Sequence, residues 1–267
     1  MSQNSSKSVT DENSGSAVSY KYWWMVFVLP AWIAVCFFAA QIFVELFMWL
    51  MVQINIPLEF ANTTVLETVF TVIVYLLTIL LVIGLPYFVK KIKTTRLDLG
   101  ITRYPTWKDI LISPAGLIVY LLLSAILLYT LSRLGPGFNI DQKQDVGFSD
   151  VVFQYQFILA FLSLVIIAPI AEEILFRGYL FGKLKKFVPV WLAILVTSLV
   201  FGLFHLVNSG SLAWNLAIDT FALSIILCLL RVVTGNIWSS ILLHMLKNGI
   251  AFYLYFISPL LLVTLGK

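Results

Sequence analysis

Residues 153–181 read FQYQFILAFLSLVIIAPIAEEILFRGYLF, and no charged side chain precedes Glu172 in this stretch. A helix needs roughly 20 apolar residues to cross the hydrocarbon core of a bilayer, and this run meets that requirement. The sequence therefore predicts a transmembrane helix here. Its second half carries Glu172, Glu173 and Arg177, which are costly to insert into lipid and usually mark a function or a pair.

The composition of the whole chain agrees with a membrane protein. Of its 267 residues, 61% are hydrophobic and 11% are charged, whereas soluble domains have about 45–50% and about 25%. These values exclude a water-soluble globular domain and a disordered chain. The net charge of +4 is small enough to arise from basic cytoplasmic loops, so no nucleic-acid partner is expected.

Hydropathy divides the chain into apolar segments joined by short polar loops. We predict an all-α fold, a polytopic membrane helical bundle with about seven transmembrane helices. The predicted segments are 23–51, 66–89, 110–134, 153–181, 190–207, 212–230 and 237–264. The predicted organisation is a flexible polar N-terminal tail (1–22), N-terminal transmembrane helices without a recognised motif (23–152) and a catalytic core (153–267).

The basic residues predict the orientation in the membrane. When the loops are assigned to alternate sides, most of the 17 Lys and Arg residues fall on the side of the N-terminal tail. The opposite side holds Arg133, Lys143 and Lys267. The positive-inside rule then places the N-terminus in the cytoplasm. A polar tail without a targeting signal fits an integral, multi-pass protein of a prokaryotic cell membrane.

Few ionisable residues fall inside the apolar segments, and most of them follow residue 170. They are Glu45, Glu172, Glu173, Arg177, His205, Asp219, His244 and Lys247. Asp219 and Glu45 have no partner at a diagnostic spacing, and we interpret both as structural polar contacts. Glu173 and Arg177 are four residues apart on one helical face, which allows a salt bridge. Glu172 is rotated by about 100° from Glu173 and is free to accept a proton. The alternative is that all three lock the helix to its neighbours.

Two further segments contribute polar groups at related depths. Glu172 and His205 lie equally far from the turn at 183–190, so we expect them at similar depth on adjacent antiparallel helices. This pairing favours an acid/base pair or a shared ligand set over a lone core histidine. His244 and Asn248 share a face of the last segment. A neutral histidine and an asparagine amide are suitable donors to an oxyanion, although interhelical hydrogen bonding would also explain them.

Three motifs resemble those of one family of membrane proteases. EEILFR (172–177) matches EExxxR, FGLFH (201–205) matches FxxxH and HMLKN (244–248) matches HxxxN. Their order resembles that of the CPBP family, which comprises the CAAX proteases and bacteriocin-processing enzymes and is also called the Abi or type II CAAX endopeptidase family. The stretch TGNIWSSILLH (234–244) is similar to the last conserved stretch of that family.

The resemblance implies an intramembrane endopeptidase and a role for each motif residue. Glu172 and His205 would activate the hydrolytic water, and His244 and Asn248 would hold the oxyanion. Glu173 and Arg177 would brace the site. The chain lacks HExxH, and metal-free activation of water is favoured, so no cofactor is expected. The alternative is one divalent metal, zinc, held by Glu172, His205 and His244.

The predicted substrate is a membrane-associated or lipidated peptide or protein, which arrives through membrane lipid or from the cytoplasmic face. The sequence does not distinguish a prenylated C-terminus from a peptide precursor or a membrane-anchored regulator. Two alternatives belong to other functional classes: an ion- or proton-coupled transporter, and a bacteriocin immunity protein without catalysis.

Overall fold

The computed structural model describes residues 22–54, 63–134, 148, 151, 154–208 and 210–259. These residues are almost entirely helical, and the predicted all-α polytopic bundle is confirmed. The helices are α1 Met25–Gln53, α2 Thr63–Lys90, α3 Arg96–Leu99, α4 Trp107–Leu134, α5 Gln154–Leu184, α6 Val190–Phe204, α7 Trp214–Thr234 and α8 Trp238–Ile257. A small antiparallel hairpin, β1 Val207–Asn208 and β2 Ser211–Leu212, joins α6 to α7.

Six of the described helices are long and apolar enough to cross a membrane. The remaining predicted segment is α6, which is equally apolar but has 15 residues and spans only about 22 Å. The prediction of about seven transmembrane helices therefore agrees with the structure at that level of detail. The predicted tail at 1–22, except Tyr22, and the end of the last predicted segment lie outside the described residues.

Short π-helical segments interrupt three of the long helices. They are Leu80–Gly84 in α2, Leu162–Ile167 and Ile174–Leu180 in α5, and Tyr253–Ile257 in α8. Such segments are often found at functional sites because they turn the following side chains to a new direction and free backbone groups. The two segments in α5 flank the turn Ala168–Glu173, which carries both glutamates of the EExxxR motif.

Helix α7 is the most buried of the long helices and packs against α6 and α4, while α8 packs against α4 and α5. The approach of α6 to α7 depends on Gly202, because a Cβ atom there would lie 2.7 Å from the carbonyl oxygen of Ala217. Small residues permit such close helix contacts in membranes. The α1–α2 hairpin packs against α5 and completes the bundle.

The distribution of polar and apolar side chains also fits a bilayer. Large apolar side chains such as Phe27, Ile42 and Leu122 are exposed on the outer surface. Ionisable side chains such as Glu173 and Arg177 are fully buried between helices. Lipid accommodates the exposed apolar surface, and polar groups within a membrane bundle characteristically face its interior.

The connector between α2 and α4, residues 91–106, is bound to the end of α5. The side chains of Thr95 and Asp98 form a capping box at the start of α3, and the buried Asp98 carboxylate also accepts hydrogen bonds from Lys183 and Lys186. Burial would raise the pKa of Asp98. The hydrogen bonds from Lys186, the Thr95 backbone and Lys183 outweigh burial, and they hold its pKa well below the ordinary value.

Candidate active site

One cavity of about 720 Å³ brings together the residues proposed for catalysis from the sequence. Glu172 on α5, His205 directly after α6, and His244 and Asn248 on α8 all line it. The opposite wall is formed by α1 and α2, which contribute Gln41, Glu45, Glu67, Thr71 and Tyr75. The cavity is therefore built from both halves of the bundle, and it has room for a peptide segment.

Glu173 and Arg177 form a buried ion pair on α5. An Nη1–Oε1 distance of 2.9 Å joins them, and both side chains are 0% exposed. The Arg177 guanidinium also stacks over the Phe201 ring, 4.4 Å from its centroid. The salt bridge expected from the four-residue spacing is thus present. It directs Glu173 away from the cavity and into the protein core.

The preceding residue, Glu172, faces the cavity. Its side chain is 13% exposed, and its Oε2 atom lies 3.7 Å from Nε2 of His244. The hydroxyl of Tyr75 donates a hydrogen bond of 2.5 Å to the other oxygen, Oε1. One oxygen is therefore held by α2, while the other is directed towards the polar groups on α8.

His205 has a fixed tautomer when its ring is neutral. Its Nδ1 atom lies 2.8 Å from the carbonyl oxygen of Phe201, one turn earlier on α6. A carbonyl oxygen only accepts hydrogen bonds, so Nδ1 carries the hydrogen. The neutral ring consequently leaves Nε2 as an acceptor. His205 lines the cavity together with Glu172, as the equal distance of both residues from the turn predicted.

His244 is oriented by Glu173, a contact that the sequence did not predict. The Nδ1 atom of His244 lies 2.9 Å from Oε1 of Glu173, and the carboxylate paired with Arg177 acts as the acceptor. Nε2 then carries a hydrogen only in the imidazolium form. A neutral His244, predicted from the sequence as an oxyanion donor, would carry no hydrogen on Nε2, so this hydrogen bond restricts that role to the protonated ring.

Asn248 is held by an irregular part of α5. Its Nδ2 atom donates a hydrogen bond of 2.9 Å to the carbonyl oxygen of Leu164, within the π-helical segment Leu162–Ile167. In a π-helical pattern the donor for this carbonyl would be the residue five positions later, Pro169, which has no N–H group. The second N–H group of the amide remains for a ligand in the cavity.

The described residues offer a limited fit to a metal ion. In both histidines Nδ1 is hydrogen-bonded to a protein oxygen, an arrangement also found in metal-ligating histidines. However, the described part of the chain contains no group of three His, Cys, Asp or Glu side chains close enough to hold a metal. Glu172, His205 and His244 therefore do not form a three-ligand zinc site in the arrangement observed.

Asp219 and Lys247 form a polar contact beside the cavity. Asp219 accepts hydrogen bonds from Tyr120 at 2.8 Å and from Ser124 at 2.5 Å, which links α7 to α4. The ammonium of Lys247 lies 3.9 Å from the same carboxylate and lines the cavity. Asp219 therefore makes the kind of structural polar contact that the sequence predicts. Glu45, for which the sequence predicts the same, is exposed at the cavity wall.

Tyr75 is a site residue that the sequence did not reveal. It lies in an ordinary apolar run, TVFTVIVYLLTIL (68–80), where a tyrosine carries no diagnostic spacing. Its partner Glu172 is 97 positions away along the chain. Only the packing of α2 against α5 brings the two together.

Part of the chain matches the model of a known protein family. Residues 154–250 match the family model described as type II CAAX prenyl endopeptidase Rce1-like. The matched range contains Glu172, Glu173, Arg177, His205, His244 and Asn248, whereas α1, α2 and α4 lie outside it. The resemblance to the CAAX proteases seen in the three motifs is confirmed over this range. No curated protein and no solved structure gives a significant match.

Proposed function

We propose, from the type II CAAX prenyl endopeptidase Rce1-like domain at residues 154–250, that the chain is an intramembrane endopeptidase that hydrolyses peptide bonds with an activated water. The family is a protease family. The observation that carries the proposal is the shared cavity: Glu172, His205, His244 and Asn248, from three different parts of the chain, all line it.

Glu172 is the general base of the proposed reaction. Its Oε1 is held by Tyr75, so Oε2 is directed to a water in the cavity, and the neutral Nε2 of His205 accepts the second hydrogen bond of that water. Transfer of one water proton to Glu172 accompanies attack of the oxygen on the scissile carbonyl carbon. The same proton then passes to the leaving nitrogen, so the carboxylate is restored when the C–N bond breaks.

Asn248 and His244 stabilise the negative oxygen of the tetrahedral intermediate. The free N–H of the Asn248 amide donates one hydrogen bond. His244, whose Nδ1 contacts Glu173, donates a second from Nε2 when its ring carries both hydrogens. Arg177 holds the Glu173 carboxylate in place through their ion pair. Donors fixed before the reaction give large rate effects, because no reorganisation is needed as charge develops.

The proposed mechanism is metal-free, and it is supported by the limited fit of the described side chains to a metal ion. The alternative remains one divalent metal, zinc, held by Glu172, His205 and His244. A chelator separates the two proposals in a single experiment on the active protein.

The proposed substrates are membrane-associated or lipidated peptides, which fits a cavity surrounded by transmembrane helices. They reach the cavity from membrane lipid, and nucleic acid has no part in the reaction. The proposed orientation places the N-terminus in the cytoplasm, because alternation of the loops assigns the basic residues of the connector and of 183–186 to the side of the N-terminal tail. The proposed location is a prokaryotic cell membrane.

The experiment that tests the proposal is cleavage of a quenched peptide library, containing prenylated and unmodified members, by detergent-purified protein. Wild type is compared with Glu172→Gln at equal folded yield, because this substitution keeps the side-chain size and removes the base. Loss of cleavage in the variant is the expected result. Equal activity in both proteins, or none in either, contradicts the proposal and favours a transporter, tested by uptake into proteoliposomes, or an immunity protein.

A further inference from the structure

We infer that Tyr75 is a positioning residue of the catalytic base, so that the α1–α2 hairpin, outside the family-matched range, completes the active site. The inference rests on the proposed function. Its observation is the hydrogen bond of 2.5 Å from the Tyr75 hydroxyl to Oε1 of Glu172. Tyr75 also lines the 720 Å³ cavity and, together with Glu172 and His205, a smaller one of about 120 Å³.

The hydrogen bond has the form expected of a strong contact. An O–H donor to a carboxylate gives short, charge-assisted bonds of about 2.5–2.7 Å, roughly twice as strong as neutral ones. With Oε1 held in this way, rotation of the Glu172 carboxylate is restricted. Oε2 then stays near His244, at 3.7 Å from its Nε2. A base held in this orientation meets the reactive water in a productive geometry.

Two other hydroxyls of α2, those of Thr68 and Thr78, form hydrogen bonds of a different kind from that of Tyr75. Thr68 donates to the carbonyl of Thr64 at 2.8 Å, and Thr78 donates to the carbonyl of Val74 at 2.7 Å. These bonds return to the same helix one turn earlier and do nothing for the site. The hydroxyl of Tyr75 instead reaches across to α5. Its target is the one glutamate of the EExxxR motif that faces the cavity.

The position of Tyr75 is fixed by the rest of the hairpin. The indole of Trp32 on α1 donates a hydrogen bond of 3.2 Å to the carbonyl of Val82, within the π-helical segment of α2. Trp32 and Tyr75 also pack against the same buried hydrophobic cluster, which includes Val82 and Leu175 of α5. The hairpin thus holds the phenol against α5 through apolar packing that does not depend on the hydroxyl.

The test compares Tyr75→Phe with Tyr120→Phe. Both substitutions remove a tyrosine hydroxyl that donates to a carboxylate within the bundle, but Tyr120 donates to Asp219 and does not line the cavity. We expect Tyr75→Phe to lower kcat by about 10–100-fold and to change KM by less than about twofold, because a misplaced base slows chemistry without changing ground-state binding. Tyr120→Phe should leave kcat within about twofold per folded molecule.

Parallel assays of Glu172→Gln separate the possible failures. If Glu172→Gln cleaves as wild type does, the proposed function fails and this inference fails with it. If Glu172→Gln is inactive while Tyr75→Phe keeps the wild-type kcat, only the role of Tyr75 is wrong. An equal fall in kcat in Tyr75→Phe and Tyr120→Phe would also overturn the proposed role of Tyr75.

A second variant covers the case in which Tyr75→Phe does not fold. Incorporation of 3,5-difluorotyrosine at position 75 keeps the ring and the hydroxyl but makes the hydroxyl a stronger acid. A stronger donor weakens Glu172 as a base, so kcat should fall by at least about threefold. The same residue at position 120 is the control, and equal kcat for both proteins would refute the inference.

Discussion

The Nδ1 atom of His244 lies 2.9 Å from the Oε1 atom of Glu173, deep between α8 and α5. The same oxygen accepts a hydrogen bond of 2.9 Å from Nη1 of Arg177. One buried carboxylate therefore orients both a histidine and a guanidinium. The neighbouring carboxylate of Glu172 is instead directed into the cavity. Two consecutive glutamates therefore face different surroundings, and the proposed function gives a structural task to Glu173 and a chemical task to Glu172.

Glutamine substitutions should separate these tasks. Glu172→Gln should lower kcat by about 10²–10⁴-fold while leaving the unfolding midpoint in detergent near that of wild type. Glu173→Gln should cost about 3–5 kcal/mol of stability, because it leaves the Arg177 guanidinium in the core without its counter-charge. Cleavage assays and denaturant titrations on both proteins check this. Equal stability losses in the two variants would contradict the assignment.

Asn248→Ala tests the proposed oxyanion donor. Removing one such donor typically costs about 10²–10³ in kcat, and we expect a loss of that size with little change in KM. The variant also loses the hydrogen bond to Leu164, so its unfolding midpoint must be measured beside its kinetics. Unchanged turnover per folded molecule would show that Asn248 serves only to join α8 to α5.

Chelation tests the metal-free mechanism. Dialysis of active protein against a strong chelator should leave kcat unchanged, and added zinc should not raise it. The reason is that Glu172, His205 and His244 do not form a three-ligand set as arranged. Activity lost on dialysis and restored by stoichiometric zinc would instead favour the metal alternative, with the free Nε2 atoms of the two histidines as ligands.

Much of the bundle was predictable because its signals are local. Apolar runs long enough to cross a bilayer correspond to the observed helices, and the four-residue spacing of Glu173 and Arg177 predicted their ion pair. The equal distance of Glu172 and His205 from one turn predicted a similar depth for both residues, and both line one cavity. Each of these inferences needs only helix geometry and the order of adjacent segments.

The remaining features depend on the rotation of distant helices about their own axes. The contact of His244 with Glu173 requires the rotational phase of α8 relative to α5, and the contact of Tyr75 with Glu172 requires that of α2. The π-helical segment Leu162–Ile167 changes that phase within α5 before Glu172 and Glu173. Hydropathy does not reveal such segments, so the sequence could not predict either contact.

Gly182 on α5 should tolerate no side chain. A Cβ atom there would lie 2.1 Å from the backbone carbonyl oxygen of Asp98, where neither group can easily move. Gly182→Ala should therefore lower the free energy of unfolding by about 1–3 kcal/mol. The matched control is Gly249→Ala on α8, where the nearest atom, of Val165, is 3.7 Å away. Equal stability of the two variants would contradict the close packing of the connector on α5.

The Asp98 carboxylate should make stability depend on pH in the acid range. Its pKa in the folded protein lies below the ordinary value, since hydrogen bonds from Lys186, Thr95 and Lys183 outweigh the opposing effect of burial. A lowered folded-state pKa gives stability that is present above the unfolded pKa of about 3.9 and is lost as the pH falls towards the folded value. We therefore expect Asp98→Asn to be less stable than wild type at pH 7. The difference in unfolding midpoint should shrink steadily below pH about 4, because Asp98 of the unfolded wild-type chain then takes up a proton while the folded protein still holds it ionised. Comparing the two proteins at each pH cancels the effect of all other carboxylates on the unfolding midpoint. A difference in midpoint that stayed constant down to pH about 2 would show that the Asp98 ion pairs contribute nothing to stability.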